Sequence, residues 1–189
     1  MVSSPVRAGG CPPAVASPNN MQWFAMRVTY SRELKAQRLL QDAGVETYIP
    51  MLCERGEDGK RYSPAVHNLI FVHSSRDFLD DYKRKVEGEC SLRYIMDRST
   101  GFPMVVRDKE MEDFIRVTAE RDEGILYLDN PAAIVTKGTP VEIMCGPFKG
   151  VWGKLIRIRK DRKVVLQLAG MVAVAVDGIP MQWCKVIDD

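Results

Sequence analysis

From position 21 onward the apolar residues fall into two alternating rhythms. Trp23-Phe24-Ala25-Met26-Arg27-Val28 is a strand-like run of aromatic and aliphatic residues. Ser31 stands where a helix N-cap would sit, and behind it Leu34, Ala36, Leu39, Leu40 and Ala43 include the i, i+3, i+4, i+7 spacing of a one-sided helix that Gly44 would end. Val45 to Leu52 reads as a strand that Pro50 confines to a sheet edge or a strand end, and the polar stretch Glu54 to Arg61 as a hairpin tip. Leu69-Ile70-Phe71-Val72 is apolar in both phases, which predicts a central strand covered at least partly on each face.

A second helix is predicted behind Ser74 and Ser75. Asp77, Asp80 and Asp81 come early and Lys83, Arg84 and Lys85 late, the order the helix dipole favours, and Phe78, Leu79, Tyr82 and Val86 form its inner face. Leu92 to Met96 reads as another strand, and Asp108 caps a third helix whose Met111, Phe114, Ile115 and Thr118 share a face up to Gly124. This order predicts an α+β sandwich, helices packed on a mostly antiparallel sheet.

Past Gly124 the helical rhythm stops. Residues 124–137, with Asn130-Pro131, carry no clear period and read as a linker. From Gly138 short strands take over at Val141 to Met144, Trp152 to Arg159, Lys163 to Leu168 and Met171 to Val176, which predicts a small β-barrel. Within it Val141, Ile143, Ile156, Ile158, Val164 and Leu166 alternate with polar positions as core candidates. The predicted organisation is a disordered tail over 1–20, an α+β domain over 21–123, a linker over 124–137 and a barrel over 138–189. Digestion in the linker should then release two stable fragments.

Composition narrows the function classes. The chain has 189 residues, 46% hydrophobic and 28% charged, so most of it can bury a core and any disorder must be local. Twenty-seven Lys and Arg against 25 Asp and Glu leave a net charge of only +2, so any polyanion site must be a local patch. The five cysteines are widely spaced, with no C-x-x-C pair and only His67 and His73 as imidazoles, which argues against zinc or a disulfide framework and for reduced thiols in a cytoplasmic protein. No phosphate loop and no nucleophile beside a base is legible, so neither an enzyme nor a bound cofactor is expected.

Two groups of cations are candidates for phosphate contact. Arg32, Lys35 and Arg38 recur every three residues on the first helix, away from its apolar face, a pattern that suits a solvated helix face first and phosphate contact second. Lys149, Lys154, Arg157, Arg159, Lys160, Arg162 and Lys163 crowd one hairpin of the barrel with only Asp161 among them, a density that suits either a nucleic-acid surface or a charged edge that resists aggregation.

The most specific local signal is Gly146-Pro147-Phe148-Lys149-Gly150-Val151-Trp152-Gly153, preceded by Gly138 and Val141-Glu142-Ile143. Its glycines supply positive φ and close chain approach in a tight turn between strands. The segment resembles the KOW motif of SH3-like barrels. Trp23-Phe24, the helix after Ser31, Tyr48-Ile49-Pro50 and Pro64 to Val72 resemble the NusG N-terminal domain. The wording His67-Asn68-Leu69-Ile70-Phe71-Val72-His73, with Asp113 to Val117, is most similar to the UpxY branch of specialised NusG paralogues, antiterminators of capsular polysaccharide operons.

The resemblance implies a factor that binds RNA polymerase through an apolar patch laid on the clamp helices of its largest subunit. Carried over by position, the patch is Trp23, Leu69, Phe71 and Ile95, with Phe71 as aromatic anchor and with Ile70 and Val72 turned to the core. It departs from the family at Arg27 and Leu69, where aromatics are common, and at His67, where proline is usual. Arg32, Lys35 and Arg38 would reach the displaced non-template DNA strand or nascent RNA, and the KOW domain would take a ribosomal protein. The factor is expected to act as a monomer. The alternative is a KOW-type RNA-binding or ribosome-associated protein in which the barrel does the binding.

Overall fold

The structure is a computed structural model that describes residues 21–56, 59–120, 125–128, 138–158 and 161–187; the tail expected over 1–20 lies outside them. Its first unit is built on the strand β1 (Gln22–Val28), in which Trp23, Phe24, Ala25, Met26 and Val28 are all buried. The helix α1 (Glu33–Asp42) and the short strand β2 (Glu46–Tyr48) follow, then the hairpin strands β3 (Met51–Gly56) and β4 (Gly59–Pro64). The central strand β5 (Leu69–Ser74) precedes the helix α2 (Arg76–Val86). Strands β6 (Leu92–Tyr94) and β7 (Val105–Val106) and the helix α3 (Asp108–Glu120) complete the unit.

The main sheet runs β2-β5-β1-β6 with β7 also on β1, and every pair is antiparallel. Strand alternation then sorts its side chains into two layers. Phe24, Met26, Val28, Ile70 and Val72 pack with Ala36 and Leu40 of α1 and with Leu79, Tyr82 and Val86 of α2. Trp23, Ala25, Leu69 and Phe71 share the other layer with Met111, Phe114 and Val117 of α3. The alternation expected for β5 is therefore present, but the face expected to look outward is as closed as the inner one.

Local chemistry explains several differences from the sequence expectations. Arg32, not Ser31, occupies the N-cap of α1 and makes no side-chain cap; Tyr30 and Ser31 stand at φ +60 and +51, and Asn68 Oδ1 accepts from Ser31 N at 3.0 Å. The buried Glu33 carboxylate in turn accepts from Asn68 N. Leu34 falls off the apolar face and is 44% exposed. Pro50 splits the expected strand into β2 and β3, and most of the expected hairpin tip is paired strand, Glu54 lying opposite Arg61. Ser75 caps α2 as its sequence suggests, accepting from Phe78 N at 3.3 Å.

The second unit is a six-stranded antiparallel sheet in the order β13-β9-β10-β11-β12-β8. Its strands are β8 (Ile125–Tyr127), β9 (Thr139–Ile143), β10 (Trp152–Ile158), β11 (Asp161–Leu168), β12 (Val172–Val176) and β13 (Cys184–Val186). Part of the expected linker is thus structure, because Ile125 to Tyr127 pair with β12; residues 121–124 and 129–137 lie outside the described set. Val141, Ile143, Val164 and Leu166 are core, as alternation requires. Ile156 and Ile158 are not in that core: they point to the opposite face and join Val165, Ala173 and Ala175 in a smaller cluster.

One buried cluster is common to the two units. Trp23, Leu69, Phe71 and Phe114 belong to the same buried cluster as Val141, Ile143, Phe148, Val151, Leu166 and Val174. The helix α3 is the element between them, packing on β1 and on β11.

Candidate functional site

The turn between β9 and β10 is where the two units are fastened. Gly150 N donates to Ile143 O at 2.7 Å and Ile143 N to Val151 O at 3.0 Å, which folds Gly146 to Val151 into a closed loop. Gly146 stands at φ +81, and a Cβ there would lie 2.5 Å from the ring of Trp183; one at Gly153 would lie 2.8 Å from Val164 Cγ1. Gly146 therefore requires glycine for conformation as well as close approach, and Gly153 for close approach alone.

Three charged residues on one side of α3 grip that loop. Arg116 donates to Pro147 O at 2.5 Å and to Lys149 O at 3.1 Å, and Lys109 Nζ donates to Gly150 O at 2.9 Å. Asp113, only 5% exposed, accepts from Trp152 N at 3.2 Å and pairs with Lys109. Positions 109, 113 and 116 are i, i+4, i+7, so the helix lines up one acceptor and two donors with the carbonyls and an amide of the loop. In the sequence Asp113 and Arg116 stand out only as part of the family-like run Asp113 to Val117; their partners on the loop lie more than 30 residues away.

The four residues proposed for polymerase contact are placed unequally. Trp23 (5% exposed), Leu69 (3%) and Phe71 (0%) are buried, and Ile95 is half-buried against the same cluster. Trp23 also stacks on His73 at 4.9 Å between ring centroids, and His73 Nδ1 meets Glu46 Oε2 at 3.0 Å. In this closed arrangement Phe71 is core and presents no anchor. Accessible apolar surface lies beside Ile95 instead, on the β6–β7 connection, where Met96, Phe102 and Val105 are exposed and Met96 bridges to Pro103. A turn in which Asp97 accepts from Ser99 holds this connection; those hydrogen bonds from Ser99 keep the Asp97 carboxyl below its ordinary range.

The cations of α1 divide likewise. Arg32 Nη1 donates to Glu89 O at 3.0 Å and Lys35 pairs with the Glu89 carboxylate at 3.2 Å, so both are engaged with the end of α2. Arg38 is exposed, with no ion pair among the described residues. The Arg32 guanidinium also lies 5.8 Å from the ring of Tyr30, which is itself 85% exposed.

A cavity of about 370 Å³ opens between the β3–β4 hairpin, the end of α3 and β8, lined by Tyr48, Cys53, Tyr62, Thr118 and Tyr127. Burial pushes the Tyr48 and Tyr127 phenols up, and both are held as hydrogen-bonding groups, Tyr48 with Thr118 and Tyr127 to Met51 O at 3.1 Å. Among the described residues no three His, Cys, Asp or Glu side chains are arranged to hold a metal ion.

The family described as "Transcription termination factor nusG" matches residues 21–115, which span the first sheet, α1, α2 and the first half of α3. No curated protein matches the chain. No described helix is long and apolar enough to cross a membrane. The matched segment covers the whole main sheet and both helices on its closed face, so the chain belongs to the NusG family of transcription factors.

Proposed function

We propose that this chain is a specialised NusG-type antitermination factor that binds RNA polymerase and suppresses pausing or termination, in the manner of the UpxY branch and in a capsular or exopolysaccharide operon. The observation that carries the reading is the order of its two units. A NusG-matched α+β sheet is followed by an all-β sheet whose β9–β10 turn is Gly146-Pro147-Phe148-Lys149-Gly150. We read that second sheet as a KOW-type barrel. It acts in the cytoplasm, without a cofactor or chemistry of its own.

Polymerase contact is assigned to the apolar surface around Ile95, with Phe102, Met96 and Val105 as its accessible members; an exposed aromatic beside aliphatic neighbours is what helix-in-groove docking needs. Trp23, Leu69 and Phe71 support that surface from beneath. Arg38 is the α1 cation free to meet the non-template strand. The test is transcription by purified polymerase through the leader of the operon next to the gene, with and without the full chain. Increased read-through together with co-elution on polymerase is expected. Neither effect at saturating protein would overturn the proposal.

A further inference from the structure

Three aromatic side chains from separate strands line the cavity beside the β3–β4 hairpin: Tyr48 of β2, Tyr62 of β4 and Tyr127 of β8. Its volume of about 370 Å³ falls within the range of small-molecule sites. Cys53 stands directly opposite Tyr62 in the hairpin register, so the two side chains share one face of the ribbon. None of the described lining residues is Asp, Glu, Lys, Arg or His. A charged molecule entering this space gives up hydration and meets no counter-charge.

The hydroxyls set the polarity of what can bind. Thr118 Oγ1 donates its single proton to Phe114 O at 2.7 Å, so Tyr48 Oη is the donor in the hydrogen bond between Tyr48 and Thr118. Tyr127 Oη donates to Met51 O at 3.1 Å. Both phenol protons are thus spent within the protein, and each oxygen keeps only acceptor capacity. Burial pushes both phenols up, and the nearby Tyr48 phenol adds to the shift at Tyr127, so both stay neutral at physiological pH.

We propose that this cavity binds a small, neutral, planar ring that carries an N–H or O–H donor. The tyrosine rings offer it faces and edges, and the phenol oxygens accept its donor. The uncharged lining discriminates against carboxylates and ammonium groups. Because Tyr48, Cys53, Tyr62 and Thr118 belong to the first unit and Ile125 and Tyr127 to β8 of the second, a bound ring touches both units and stabilises their closed arrangement by mass action. The site requires neither polymerase nor nucleic acid, so the transcription assay and the test below fail independently.

The test is calorimetric titration of the full chain with indole, with benzofuran as a ring of the same shape that lacks the donor, and with benzoate as a charged ring. Saturable binding of indole is expected, together with a melting temperature that rises with indole concentration. Benzofuran should bind about tenfold more weakly, the loss of one hydrogen bond, and benzoate should not saturate. Ala119→Trp, at an exposed position on the last turn of α3, should fill the cavity mouth and abolish indole binding without lowering the melting temperature of the unliganded protein. Tyr48→Phe with Tyr127→Phe keeps the rings and should bring indole down to the affinity of benzofuran, which itself should not change; circular dichroism checks the fold of each variant. Absence of saturable indole binding to the unmodified chain overturns the proposal, and so does indole binding that survives Ala119→Trp. Equal affinities of the unmodified chain for indole and benzofuran overturn it as well, and that comparison needs no variant to fold.

Discussion

Phe71 is fully buried beneath α3, and its aromatic ring would leave a hole that rigid strand neighbours cannot fill. Phe71→Ala is expected to cost about 3 to 5 kcal/mol of folding stability. Ile70→Ala, on the opposite and equally buried face, should cost about 2 to 5 kcal/mol. Denaturant unfolding of both variants checks this; wild-type stability in either would mean that its face of β5 opens to solvent. Phe102→Ala should behave in the opposite way, with an unchanged unfolding midpoint and polymerase binding weakened by about 2 kcal/mol or more, since its ring is 64% exposed. The cysteines give a separate test of burial. Burial pushes the Cys90 and Cys184 thiols up, so at neutral pH both stay protonated and gain thiolate only as pH rises above the ordinary thiol range. Among the described cysteines the exposed Cys145 should therefore react first with a thiol reagent, and Cys90 only slowly until the protein is unfolded.

At the level of elements, α2 and α3 are stabilised by different means. In α2 the cap is local, and Ser75→Ala should cost about 1 kcal/mol, read as a shift in the unfolding midpoint. In α3 the charged stripe is spent on another unit. Asp113→Ala removes the acceptor of Trp152 N and the partner of Lys109 together. Amide exchange at Trp152 and Gly150 should accelerate in that variant while the amides of β1 keep their protection, because the main sheet makes its hydrogen bonds without Asp113. Uniform acceleration across both sheets would show instead that the grip of α3 holds the whole fold. The side chains of Lys109 and Arg116 contact only carbonyls of the loop across this junction, so the grip should tolerate moderate salt better than an exposed ion pair does.

Across the whole molecule, one apolar cluster running from Trp23 to Val174 couples two sheets that the chain builds in succession. A shared core makes unfolding of either unit expose surface on the other, so the full chain should melt in one transition with coincident fluorescence and circular dichroism signals. Two separated transitions would mean that the junction through α3 contributes little. How much of this was legible in the sequence follows from what its signals measure. The phases of β1 and β5, the inner faces of α1 and α2, the Ser75 cap and the glycine turn at 146–153 are all stated by spacing and residue type, because each depends on neighbours a few positions apart. Periodicity separates one face of a strand from the other but is silent on what covers each. Leu69 and Phe71 thus read as a docking face until α3 is placed over them, and Ile156 and Ile158 read as core until the sheet turns them to its other side. The stripe Lys109, Asp113 and Arg116, the pairing of β8 with β12 and the cavity shared by Tyr48 and Tyr127 join residues distant in sequence or depend on exact register. The local pattern determined the elements and their faces; the tertiary structure alone decided which faces are shared, since burial and apposition are properties of pairs of surfaces rather than of either segment.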